Sequence, residues 1–123
     1  MLILDANVIL RFILKDISEQ AVVARDLLEN KACVIPVEIT AEVVYVLQKV
    51  YGLERKVIAE RISGVMAISE RLFEQSEIIA EALKVYMAAK NLSFVDCLLV
   101  SYSKIKKHAV FTFDKELKKQ LAN

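Results

Sequence analysis

The chain has 123 residues and a formal charge of +1, from 17 Lys and Arg against 16 Asp and Glu. This is one domain's length, enough to bury a core without disulfide or metal staples. Two Gly and one Pro exclude a collagen-like, linker-rich or disordered chain. Cys33 and Cys97 form no CxxC pair, which argues against a metal knuckle or a disulfide scaffold. They read as small buried hydrophobes in a reducing compartment. Met1-Leu2-Ile3-Leu4-Asp5 has neither the basic start nor the cleavage site of a signal peptide. No apolar run approaches the roughly 18 residues of a membrane span. The expectation is a soluble, cytoplasmic protein forming a single domain over residues 1–123.

Leu2-Ile3-Leu4 is a short apolar run and reads as a buried parallel strand. Asn7 is placed to cap a helix over Val8–Leu14, which Lys15-Asp16 closes. Ser18 is the next N-cap candidate, for an amphipathic helix ending near Asn30. Ala32–Ile35 reads as a second strand, and Pro36 suits the first turn of a helix running to about Tyr51. Gly52 fits that helix's C-terminal end, and Leu53–Ala67 carries the next helix. Ile68–Phe73 is assigned as a strand and Glu77–Asn91 as a helix. Ser93 opens a helix through Lys106, Ala109–Phe113 is a strand, and Asp114 starts a final short helix. Strands alternating with helices imply a parallel sheet covered on both faces.

Four acids stand out by context: Asp5 after the first strand, Glu42 two turns into the third helix, Asp96 in the turn after Ser93, and Asp114 at the end of the last strand. Ligands of an open parallel sheet bind outside the carboxyl ends of its strands, where distant acids can converge. Gathered carboxylates need a counter-charge, and a hard divalent cation with oxygen ligands supplies it. Each acid also has a plain structural role open to it. Asp114 can be a helix cap, and Ser93-x-x-Asp96 a capping box with Asp in place of Glu. Asp5 can hold a turn, and Glu42 can lie on an exposed face four residues from Glu38. Against those roles, Leu4-Asp5-Ala6, Ala41-Glu42-Val43 and Val95-Asp96-Cys97 set acids among apolar neighbours, where burial needs a reason.

Four stretches together resemble the PIN domain, the ribonuclease fold of the toxins of VapBC toxin–antitoxin pairs. They are Leu4-Asp5-Ala6-Asn7-Val8-Ile9-Leu10, Thr40-Ala41-Glu42-Val43-Val44-Tyr45-Val46-Leu47, Ser93-Phe94-Val95-Asp96-Cys97-Leu98-Leu99 and Val110-Phe111-Thr112-Phe113-Asp114. The resemblance covers essentially the whole chain. It implies an α/β fold, a three-layer α/β/α sandwich on a central parallel sheet of four to five strands. It implies a Mg²⁺ (or Mn²⁺) site and endonucleolytic cleavage of RNA by metal-activated water. It carries the catalytic, metal-binding role onto Asp5, Glu42, Asp96 and Asp114, with Asn7 and Thr112 as supporting polar residues. It further implies a cognate antitoxin and a homodimer, with no membrane association. Ser93 departs from the pattern, standing where many members have an extra acid.

Six lysines against two acids between residues 104 and 119 form a basic segment that suits a phosphate backbone or a solvated helix face. Arg11, Lys104, Lys106, Lys107 and Lys115 are candidates for holding the RNA backbone. His108 is the only histidine, so neither a His-based metal triad nor a Ser-His-Asp relay can be built. Two other readings stand beside the nuclease. One is a catalytically inactive PIN-like module that binds RNA or protein. The other is a receiver-type phosphoacceptor domain, disfavoured because Ala6-Asn7 follow Asp5 and the third strand runs into Phe73-Glu74. Wide apolar sets in the helices over 18–30 and 36–67 fit either a large core or an apolar patch used for association.

Overall fold

The computed structural model describes residues 1–122. Contacts cluster into two compact units, Met1–Ser76 and a second from Glu77 on.

In the first unit, β1 (Leu2–Ile3) leads into α1 (Ala6–Leu14), then α2 (Ser18–Asn30), β2 (Cys33–Val34), α3 (Val37–Lys49) and α4 (Arg55–Met66). β1 and β2 pair in parallel, with Leu2 opposite Cys33 and Ile3 opposite Val34. Backbone bonds Leu2 N–H to Ala32 O at 2.9 Å and Leu4 N–H to Val34 O at 3.1 Å extend the ladder by a residue. Both strands are short for local reasons. Asp5 leaves β1 to cap α1, and Pro36 follows Ile35 as the N-cap of α3 with no N–H to offer a ladder.

The expected sheet of four to five strands is corrected: among the described residues there is a two-stranded sheet and one isolated parallel bridge, Ile35 to Phe73. The third segment, 68–73, turns instead of extending. Ile68 N–H bonds Val65 O, Leu72 N–H bonds Ser69 O, and the Ser69 hydroxyl accepts from Arg71 N–H at 3.3 Å. Serine's local bonding competes with a ladder here. The segment 109–113 forms no strand among the described residues. Phe111 and Phe113 are 85% and 84% exposed and pack edge to face on each other, with ring centroids 5.2 Å apart. Nor is β1 buried as expected, since Leu2 and Ile3 are exposed and only Leu4 behind them is sealed.

The helices follow the sequence reading closely, with shifted ends. Asp5, not Asn7, caps α1, and Ile17 rather than Ser18 precedes α2. Gly52 has φ +65°, the left-handed conformation glycine adopts without strain, and so ends the α3 turn. The core of this unit is Ile9 and Leu10 of α1, Leu28 of α2, Val43, Val44 and Leu47 of α3, and Ile58, Ile62 and Val65 of α4, with Ile35 and Leu72. The large-core reading therefore accounts for most of the apolar set, while Val22, Val23 and Val50 remain exposed. α1 packs on both α2 and α3, and α3 on α4.

The second unit comprises α5 (Ser76–Ala88), α6 (Phe94–Lys106) and α7 (Lys115–Ala122). Ile78, Ile79, Ala82 and Leu83 keep helical spacing on α5, and all are buried. Buried Tyr86 meets Phe94 edge to face at 5.7 Å, which ties α5 to the start of α6. α6 packs on α7, where Leu117 is the buried residue. Ser101, buried on α6, bonds back to Cys97 O at 2.8 Å. Both cysteines are buried, as expected, and no disulfide joins them. Among the described residues no helix is long and apolar enough to cross a membrane.

Candidate functional site

α1 starts because Asp5 stops the strand. Its backbone is extended (φ −85°, ψ 173°), and Oδ1 accepts the Val8 N–H at 3.2 Å, satisfying one of the orphan donors of the helix's first turn. The cap employs one carboxylate oxygen, and Oδ2 remains for a further ligand. Asn7 and Arg11 follow one turn apart on α1. Glu42 lies mid-way along α3, which packs on α1. Asp5, Asn7, Arg11 and Glu42 consequently line one hollow of about 380 Å³, closed by Val46 and Tyr51.

Arg11 is the cation of this hollow and is tethered from two sides. Its Nη1 pairs with Asp16 Oδ2 at 3.2 Å, and its Nη2 donates to Tyr51 Oη at 3.3 Å. The side chain is only 13% exposed, and Nε is buried with no hydrogen-bond partner. The tether follows from how α1 ends. Lys15 takes a left-handed conformation (φ 54°) and its N–H bonds Arg11 O at 3.0 Å, which turns Asp16 back towards the last turn of the helix. The sequence singles out Arg11 as a candidate for the RNA backbone, but marks Tyr51 and Asp16 only as helix ends. The available signal was a charge pair straddling a helix C-terminus. A second hollow, of about 460 Å³, lies between α1 and α2 and shares Asp5, Asn7 and Arg11 with the first.

The other predicted residues belong to the second unit. Ser93 caps α6, its Oγ accepting the Asp96 N–H at 3.1 Å, so Asp96 sits in the first turn, where a carboxylate favours the helix dipole. Asp114 Oδ1 accepts the Leu117 N–H at 2.8 Å, and Thr112 Oγ1 accepts the Asp114 N–H at 3.0 Å. Thr112 therefore supports Asp114 directly. Lys104 is engaged with Glu81 at 3.0 Å, while Lys106, Lys107, Lys115 and His108 are exposed.

Two expectations need correction. The apolar neighbours of the acids do not bury them: Asp5, Glu42 and Asp114 are exposed and Asp96 is half-buried. Leu4, Ala6, Val43 and Cys97 beside these acids are buried while the acids stay exposed or half-buried, because neighbouring residues do not share a face, and Val95 and Phe113 are themselves exposed. Asp114 and Ser93 supply the caps expected of them, whereas the α1 cap expected of Asn7 is supplied by Asp5.

The donor chemistry of the Asp5–Glu42 hollow is all oxygen, with no imidazole or thiolate. Mg²⁺ and Mn²⁺ suit such donors, and Mg²⁺ is commonly held by one or two carboxylates plus water and a substrate phosphate. The pair of acids fits that mode. Among the described residues, no group of three or more His, Cys, Asp or Glu side chains is gathered as a protein-only cage.

Compared with the curated proteins and with the solved structures, the chain finds no match. The PIN domain family does match, over residues 2–120, nearly the full length. PIN domains are generally nucleases, and those nucleases typically use divalent metals. With that extent of match, the chain belongs to the PIN domain family.

Proposed function

We propose that this PIN domain is a Mg²⁺- or Mn²⁺-dependent endoribonuclease and the toxin of a type II toxin–antitoxin pair. The observation that carries the reading is the Asp5–Glu42 hollow with Arg11 in its wall, in a chain of a nuclease family. In this reading Asp5, Glu42, Asp96 and Asp114 are the metal-binding acids, assigned from their motif positions. A bound divalent cation supplies charge neutralisation, a Lewis acid for the phosphoryl oxygen and a water of lowered pKa.

The chain's own residues do the rest. Asp5 would offer Oδ2 to the ion, while Oδ1 holds the helix start. Glu42, on α3 and in the lining of the same hollow, would hold the ion directly or through a water. Arg11 presents a guanidinium to a non-bridging phosphate oxygen, a pairing favoured by its fixed fork. Asn7 supplies an amide for a phosphate or ribose oxygen. Thr112 holds the backbone at Asp114. Lys106, Lys107 and Lys115, all exposed, add backbone attraction that positions RNA without reading its sequence. An antitoxin and a second copy of the chain are the proposed protein partners, with the exposed apolar residues of α2 and the end of α3 as candidate contacts.

The test is cleavage of several structured RNAs with Mg²⁺, Mn²⁺ or EDTA. Expected is metal-dependent cleavage that falls by roughly a hundredfold or more in Glu42→Gln, as removal of a group acting on the transition state usually does. Cleavage that persists in EDTA, or in Glu42→Gln, overturns the assignment. RNA binding with no cleavage under any metal identifies a binding module instead.

A further inference from the structure

We propose that the hollow between α1 and α2 is a nucleobase subsite, which takes a guanine base adjoining the phosphate engaged at the Asp5–Glu42 hollow. The proposal rests on the nuclease reading above for the identity of that phosphate.

The hollow has a volume of about 460 Å³, within the range of sites that hold nucleotide-sized ligands. Its lining combines apolar Val8 of α1 and Val23 and Leu27 of α2 with the polar side chains of Glu19 and Gln20, neighbours in the first turn of α2. Ala24, buried beside them, is too small to fill the space between the helices. Val23 is exposed, so it contributes to this wall rather than to the core. The partition to the second hollow is Asp5, Asn7 and Arg11, common to both.

A ligand spanning both hollows therefore has an apolar body on one side of Arg11 and an anionic link at it. A nucleotide has that shape: two apolar faces, a polar edge and a phosphate at fixed distance. The valine and leucine walls suit the faces, and Glu19 and Gln20 suit the edge. Arg11, held by Asp16 and Tyr51, needs little reorganisation to meet the phosphate.

The edge chemistry selects among bases. An ionised carboxylate only accepts, and through two oxygens. Guanine alone presents two adjacent donors, N1–H and N2–H₂, on its pairing edge, and so matches Glu19 with two parallel bonds. Adenine and cytosine offer one amino group there, and uracil one imino group.

The experiment uses the intact protein in EDTA with two fluorescein-labelled hexaribonucleotides, one of uridines only and one carrying a single guanosine. Anisotropy titration reads affinity without cleavage. The wild type is expected to bind the guanosine hexamer about tenfold tighter, the scale of one bidentate base contact. Glu19→Ala is expected to bring the two affinities within about twofold of each other; using their ratio cancels the effect of the lost charge on RNA binding. Val23→Ser should reduce the ratio as well. Both positions are exposed, so the variants keep the fold, which a thermal melt verifies. A wild type that does not distinguish the hexamers, or that binds neither, overturns the subsite. So does a preference that Glu19→Ala leaves intact. Cleavage of the same RNAs with Mn²⁺ is measured in parallel. A Glu19-dependent preference without cleavage keeps the subsite and removes the nuclease reading, whereas cleavage without that preference does the reverse.

Discussion

Asp5 carries two separable duties, and one substitution divides them. Asparagine caps helices as well as aspartate, so Asp5→Asn should keep the bond to the Val8 N–H and shift stability by less than about 0.5 kcal/mol. It lacks the charge a divalent ion requires, and cleavage should fall roughly a hundredfold or more. A thermal melt and a cleavage assay on the same sample check both halves. If activity survives, Asp5 is a cap and nothing more. Arg11 poses a different question, because its fork is bonded on both sides. Lysine keeps the charge but cannot hold Asp16 and Tyr51 in that geometry. Arg11→Lys should raise KM for RNA several-fold with a smaller loss of kcat, and Tyr51→Phe should move KM in the same direction through Arg11. A change confined to melting temperature would make the tether purely structural.

At the scale of elements, helices were readable and the sheet was not. α3 shows why. Val43, Val44 and Leu47 repeat at helical spacing and all are fully buried, so periodicity alone located the core face. Leu47→Ala should cost about 2–5 kcal/mol in a denaturant titration, since a cavity opens where neighbours cannot collapse. Val22→Ala on exposed α2 should stay within about 0.5 kcal/mol. Equal losses at the two sites would mean that Val22 is covered in solution by a partner. Strands gave less because pairing is non-local. The segment 109–113 has the aromatic and β-branched residues of a strand, yet composition states only that a partner is needed, not that one is made. Segment 68–73 holds enough apolar residues for a strand, but Ser69 captures a local N–H and the backbone turns.

For the molecule as a whole, two measurements bear on metal and association. An ion that binds only the folded chain stabilises it by mass action, about 2.7 kcal/mol at a hundredfold excess over Kd. Mg²⁺ or Mn²⁺ should therefore raise the melting temperature of the wild type by several degrees, with little effect on Glu42→Gln. An equal rise in both would place the ion elsewhere. Light scattering at micromolar concentration should give the mass of two chains. Val22, Val23 and Val50 are among the exposed apolar residues that the core leaves uncovered, and a strictly monomeric mass would remove self-association as their use.

By itself the sequence determined the helices, their caps at Ser93 and Asp114, the glycine turn at 52, the buried cysteines and the acids worth testing. These features are local: spacing, capping chemistry and burial periodicity act within a few residues of one another. The tertiary structure alone decided how far the sheet extends, that apolar neighbours leave the acids exposed, and that Arg11 is tethered to a tyrosine 40 residues away. It also decided that α1, α2 and α3 pack so as to leave two hollows sharing one wall. Such features depend on which helix faces meet and how fully their side chains fill the space between them. That is set by the packed core as a whole, and no short stretch of the chain encodes it.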